Sequence, residues 1–340
     1  MRTLRPALPL TALLAASALA LTACAGEDAP SAAGSSAGTA AASQTLSIDF
    51  ATYNPLSLVI KDQGWLEEEL SDDGVTVEWV QSAGSNKANE ALRSGAIDVG
   101  STAGSAALLN RANGAPIKTI VVANQPEWSA LLTGPDSDIT SIEQLEGRSV
   151  AATKGTDPYF FLIQALEGAG VEPSSVTVQN LQHADGRAAL ENGSVDAWAG
   201  LDPIMAAAEA NGARFVHRDP DLNSYSVVNA TEDFLTESPE TAQVVADTYE
   251  RARRWAVENP EETARILAEV AGLEESVATQ VIAERTNLDI SPVPGEDQRR
   301  VLSAIGPIFV DTGDVPDQEQ VDEALETLFD PTFAEKAESK

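Results

Sequence analysis

One cysteine, Cys24, stands in a chain of 340 residues, so no disulfide can form within the molecule. Histidine is almost as scarce. His183 and His217 are the only two, and neither an HExxH pair nor a clustered ligand spacing is present, so the sequence offers no metal site and little catalytic material. Positive charge is also short: 21 Lys and Arg face 53 Asp and Glu, a formal charge of −32. A phosphate-neutralising surface cannot be built from so few scattered bases, which excludes nucleic acid as a partner. No stretch is apolar for long enough to span a bilayer comfortably, which takes about 20 residues. What remains is 43 % hydrophobic and 22 % charged, a composition for a soluble globular chain with length for two domains.

The longest apolar run, Ala7 to Leu21, follows Arg2 and Arg5 and precedes Leu21-Thr22-Ala23-Cys24. This is the pattern of a signal peptide over 1–23, and a lone cysteine after Leu-x-Ala resembles a bacterial lipobox, with Cys24 acylated. Residues 24–44 carry almost no large apolar side chains and read as a flexible tether. The expectation is an exported lipoprotein held at the cell membrane by its lipid alone.

The folded part contains a duplication. "ALRSGAIDVGSTAGSAALLNRANGA", from Ala91, aligns without gaps to "ALENGSVDAWAGLDPIMAAAEANGA", from Ala189, with Ala-Leu, Gly, Asp and the closing Ala-Asn-Gly-Ala identical. Upstream, "VTVEWVQSA" echoes "VTVQNLQHA". Each copy reads as strands alternating with helices, the grammar of parallel doubly wound α/β sheets. In the first copy the pattern predicts strands over 46–52, 75–80 and 97–101, and helices over 55–70, 86–94 and 103–113. Strands are also expected at 119–122 and 129–133, then two after Ala213 that cross back, and a helical C-terminal part. The expected organisation is one lobe of residues 45–132 plus 226–340 and a second of 133–225. Asp98 and Asp196 fall at matching positions and are read as doing one structural job twice.

Four helix starts share a grammar. Asn54-Pro55, Asp157-Pro158 and Asp202-Pro203 each offer a capping residue before proline, and Ser101-Thr102 offers hydroxyl caps. Ligands of α/β sheets bind beyond the carboxyl ends of the strands, so these positive helix ends should converge on one cleft and favour an anion. Lys154, Gly155 and Thr156 stand at one start, where Lys154 is either an anion contact or a surface lysine. Asp157 either caps its helix or meets a ligand amine, and the same holds for Asp202. Tyr53, Tyr159 and Trp198 lie beside these starts, as core residues or as ligand contacts.

"GSNKANEALRSGAIDVGSTAGSAALLNRANGAPI", "VAATKGTDPYFFLIQALEGAGV" and "QHADGRAALENGSVDAWAGLDP" together resemble the sulfonate, taurine and nitrate group of ABC-importer substrate-binding proteins, nearest its aliphatic sulfonate branch. The likeness runs from about Leu46 to Leu273. It implies an α/β, two-lobed periplasmic-binding-protein fold of the type II, Venus-flytrap kind, monomeric, without a cofactor. Such a receptor takes a small organic anion and delivers it to a permease and its ATPase. Family binding positions match Tyr53 and Asn54, Ser101, Thr102 and Ala103, Thr156 to Tyr159, and Trp198 to Asp202. Gly200-Leu201 departs from the bulkier residues of many sulfonate binders, which leaves the tail pocket open. Nitrate or an aromatic acid is the alternative ligand. An enzyme of the same fold, as in menaquinone or thiamine-precursor synthesis, is the alternative class.

Overall fold

The computed structural model describes residues 44–340. The expected signal peptide, Cys24 and all of the tether but Gln44 lie outside the described residues. The first copy of the repeat runs β1 (Thr45–Phe50), α1 (Pro55–Gln63), α2 (Trp65–Leu70), β2 (Thr76–Gln81), α3 (Ser85–Ser94), β3 (Val99–Ala103) and α4 (Gly104–Ala112). β4 (Ile117–Pro126) and β5 (Ser129–Thr133) lead out of it. The second copy runs β6 (Ser149–Ala152), α5 (Asp157–Gly168), β7 (Thr177–Asn180), α6 (His183–Glu191), β8 (Ala197–Leu201) and α7 (Ile204–Ala210). β9 (Arg214–His217) and β10 (Ser226–Thr231) follow, then α8 (Glu232–Glu237), α9 (Pro239–Glu258), α10 (Pro260–Ala271), α11 (Glu275–Gln280), the short β11 (Thr286–Asn287), α12 (Glu296–Asp311), α13 (Gln318–Thr327) and α14 (Thr332–Glu338).

The duplication is visible in the sheets. One has the order β11-β4-β10-β3-β1-β2 and the other β9-β5-β8-β6-β7. Within each, the repeat strands pair in parallel, and the strand beside β3 or β8 runs antiparallel. That strand is β10 in the first sheet and β5 in the second, so each crossover supplies a strand to the lobe it enters. Two expectations change as a result. Ser129–Thr133 belongs to the second sheet, so the first crossover lies between Pro126 and Ser129, ahead of residue 132. "RFVH" stays in the second lobe as β9, and only β10 crosses back.

Asp98 and Asp196 do the same work in both copies. Each accepts from the backbone N–H of the strand beside it, Asp98 from Ser47 and Asp196 from Ser149, both at 2.8 Å. The helix expected over 55–70 breaks in two because Gly64 takes a left-handed conformation (φ 65°) that ends α1. Leu56, Val59 and Ile60 are buried on α1, as their spacing requires, in a core shared with α9 and α10. The C-terminal helices cover the first lobe and also reach the second. Phe309 of α12 packs on Phe160 of α5 with ring centres 4.9 Å apart, and α11 packs on α7.

Candidate functional site

The carboxyl ends of the two sheets meet face to face. Ala51 and Tyr53 before α1, Ala103 and Ala106 at α4, Leu201 before α7, and Trp128 from the crossover form one buried cluster. The helix starts therefore converge, with protein side chains packed between them. The Tyr53 hydroxyl donates to the Ser101 carbonyl at 2.9 Å, and its ring meets Trp128 edge-on at 6.1 Å.

Several expected caps are employed elsewhere. Asn54 occupies the N-cap of α1 but makes no side-chain cap; its Nδ2 reaches Tyr249 Oη at 3.4 Å, and its buried Oδ1 has no protein partner. β3 continues through Ala103, and α4 begins at Gly104, because Ser101 and Thr102 remain in the ladder with β10. The Ser101 N–H and hydroxyl both donate to Asp49, and the Thr102 hydroxyl donates to the Ala103 carbonyl and accepts from Asn229. The Thr156 hydroxyl turns back to the Thr153 carbonyl at 2.6 Å.

The Asp157 carboxylate makes no side-chain cap of α5. Its carboxylate is buried and accepts from four donors: the hydroxyls of Ser105 (2.5 Å) and Ser224 (2.7 Å), the Ser224 N–H (2.8 Å) and Trp128 Nε1 (2.7 Å). Ser105 belongs to α4, and Trp128 and Ser224 to the two crossovers, so Asp157 ties the second lobe to the first and to both hinge strands. Asp202 plays a matching part on the other side. It pairs with buried Arg285 at 3.2 Å through both oxygens and accepts from the Ala206 N–H at 2.9 Å, while Arg285 also binds Glu209. Asp202 thus helps cap a helix that starts one residue later than expected, at Ile204.

Trp198 and Gly200 point away from the cleft. Trp198 packs with Ala151, Leu190 and Met205 in the core of the second lobe, beneath Gly186, and a side chain at Gly200 would strike Leu132 and Met205. They lie on the same face of β8, two residues apart, as strand alternation dictates. Lys154 is exposed, with its ammonium 5.4 Å from the Tyr159 ring; Tyr159 lies in the core that joins α5 to α12, and Gly155 is half-buried near Leu109. No basic side chain among the described residues pairs with Asp49 or Asp157.

The distal edges of the lobes hold a contact that helix-start reasoning missed. Gly84, at the start of α3, faces His183, at the start of α6: a Cβ on Gly84 would lie 2.9 Å from both His183 Nε2 and Asn86 Oδ1. Asn86 Nδ2 also reaches across to Gln182 Oε1 at 3.4 Å. His183 is 1 % exposed, and neither its Nε2 nor Asn86 Oδ1 has a protein partner. The Thr153 hydroxyl donates to the Leu181 carbonyl at 2.7 Å, which leaves its lone pair for His183 Nδ1–H at 3.2 Å. Nε2 is then a bare acceptor. Burial pulls the His183 imidazole down from 6.5 to about 4, so it is neutral at pH 7. Burial pushes Asp49 up to about 7 against the pull of its Ser82 and Ser101 hydrogen bonds, and Asp202 up to about 6 against the pull of Arg285. The signal for this contact was in the aligned "QSAGS" and "QHADG" segments, one in each copy of the repeat.

Residues 56–263 match the family model described as NMT1/THI5 like. The chain belongs to that family. It is 30 % identical over 242 residues to a protein of Escherichia coli (strain K12) named as an aliphatic sulfonates-binding protein, covering 70 % of this chain and 75 % of that one. The solved periplasmic aliphatic sulphonate binding protein SsuA from Escherichia coli superimposes with a TM-score of 0.72 at 25 % identity, over 85 % of this chain and 92 % of its own. The alkanesulfonate-binding protein SsuA from Xanthomonas axonopodis pv. citri, bound to MOPS, gives a TM-score of 0.75 at 24 % identity, over 82 % and 97 %. The architecture of this family member, two mixed sheets with helices on both, is the periplasmic-binding-protein fold.

Proposed function

We propose that this protein is an extracytoplasmic receptor that clasps a small sulfonate between its lobes and hands it to an ABC permease and its ATPase. One observation carries the reading: Asn86 Oδ1 and His183 Nε2, where the lobes touch, and Asn54 Oδ1, next to Tyr53 of the cluster between the helix starts, are buried without a protein partner. Buried polar groups almost always have partners, so a closed cleft that withholds them suits a ligand that brings them. The sulfonate relatives support the ligand class.

Each asparagine makes only one long bond, at 3.4 Å, through its amide nitrogen. Either amide can turn to donate its NH2 to a sulfonate oxygen, while His183 Nε2 accepts from the ligand. A sulfonate that also carries an ammonium, such as taurine, satisfies both needs. Asn54 and Asn86 are then the direct contacts, with Tyr53, Ser101, Thr102, Ala103 and Thr156 forming the frame. Lobe closure, with no chemistry on the ligand, is the whole event.

Calorimetry with taurine, ethanesulfonate, sulfate and nitrate tests the reading. Taurine is expected to bind more tightly than ethanesulfonate, and both more tightly than the inorganic ions. No heat from either sulfonate, with the melting temperature unmoved, would refute it. A lipid anchor at Cys24 is part of the proposal. It predicts a mass gain on that residue and membrane fractionation lost in Cys24→Ser.

A further inference from the structure

Arg285 is the only basic side chain that is buried among the described residues, and the receptor reading gives it no task. Its main chain belongs to the first lobe. Val281–Arg285 is a single wide π-turn that continues α11, and turns of this kind concentrate at functional positions. The Arg285 carbonyl accepts from the Glu127 N–H of the first crossover at 2.9 Å, and β11, which starts at the next residue, pairs with the end of β4. Its guanidinium faces the second lobe. Nη1 meets both Asp202 oxygens at 3.2 Å, Nη2 meets Glu209 of α7, and the Phe215 ring of β9 lies 5.4 Å away. The backbone is thus fixed beside one hinge strand while the charge is gripped by the other lobe. A turn of the lobes about their crossovers draws Asp202 and Glu209 away from it.

Three features suit a contact that is made and broken. The buried Nε has no protein partner, so the grip is partial, whereas a side chain buried for stability alone has its donors met. Around it α7 meets α11 through Ala206 and Ala278, which share one buried apolar cluster; side chains this small part and reseal without interlocking. Glu209 is 31 % exposed, so water enters the charge cluster from that edge as the lobes separate.

We propose that Arg285 is a closure latch, a positioning residue that never touches the ligand and holds α7 against the first lobe once the cleft has shut. The inference rests on the receptor reading above and adds to it what sets the ligand's residence time. Burying three charges is costly, so the latch favours the closed form only while the arginine meets both carboxylates. Without it, Asp202 and Glu209 are like charges left around one vacated space, and the closed form is disfavoured.

The test is stopped-flow kinetics and calorimetry on the full chain with taurine and ethanesulfonate. The open form captures the ligand before the latch is made, and release requires the latch to break. Arg285→Gln should therefore leave the association rate within about twofold and raise the dissociation rate about tenfold or more, at the wild-type stoichiometry. Arg285→Lys, which keeps the charge and loses the fork, should fall between the two. Glu209→Gln, at the exposed edge, should raise the dissociation rate about threefold and serves if the Arg285 variants do not fold. An unmoved dissociation rate in a folded variant, or an association rate and stoichiometry that drop as well, overturns the latch and leaves the receptor standing. If wild type takes neither sulfonate, the receptor reading fails and the latch falls with it.

Discussion

Asp157 shows how far a residue's role depends on its neighbours. A carboxylate beside Pro158 at the start of a helix reads as a cap, yet this one collects four donors from α4 and from both crossovers. Burial raises its pKa, and the hydrogen bonds from Ser105, Ser224 and Trp128 oppose that rise. Replacing it by alanine would strand several buried donors at once. Asp157→Ala should therefore lose about 3 kcal/mol in urea unfolding, the scale of a buried charge network broken from one side. Trp128 fluorescence should change as well, because Nε1 loses its partner. A loss below about 0.5 kcal/mol would mean that the four bonds count for little. Trp198 carries a similar lesson: alternation along β8 places it on the core face, and no inspection of "DAWAGLDP" reveals which face that is.

At the scale of elements, the helix starts α3 and α6 deserve the weight first given to α1, α4, α5 and α7. They are the parts of the two lobes that touch at the edge far from the crossovers. Gly84 is required there for its lack of a side chain, since a Cβ would lie 2.9 Å from the His183 ring, which Thr153 pins from behind. Gly84→Val should leave each lobe folded, with a melting temperature within a few degrees of wild type, while holding the lobes apart. Small-angle scattering in the presence of ligand should show a larger radius of gyration than wild type, and ligand affinity should drop at least tenfold. Equal radii and equal affinities would show that this contact does not limit closure.

For the whole molecule, closure and folding bury titratable groups of opposite tendency. His183 has its pKa lowered to about 4 from 6.5, so it favours the folded form fully above pH 6.5, and that contribution is lost as pH falls towards 4. Asp49 and Asp202, raised to about 7 and about 6, act the other way and favour the folded form more as pH falls below those values. The wild-type profile mixes the two, and a comparison separates them. Relative to a non-titrating His183→Gln variant, wild type should lose on the order of 1 kcal/mol per pH unit between 6.5 and 4. Urea unfolding of both proteins at pH 7, 6 and 5 measures it. Parallel profiles would place His183 in water.

Much of this molecule was written in local sequence. The repeat, the alternation of strand and helix and the paired roles of Asp98 and Asp196 follow from periodicity and position, because a strand or an amphipathic helix is specified by residues close together in the chain. Asn54 and Tyr53 could also be placed beside the cleft, since strand ends and helix starts are local features. The tertiary structure alone decided that β5 and β10 exchange lobes and that Ser101 and Thr102 stay in the ladder. It alone made Asp157 and Asp202 ties between lobes and set His183 against Gly84. Each of those depends on partners 29 or more residues away in sequence, such as Trp128 for Asp157 and Asn229 for Thr102, and no local pattern encodes which distant donor a buried carboxylate or hydroxyl will meet.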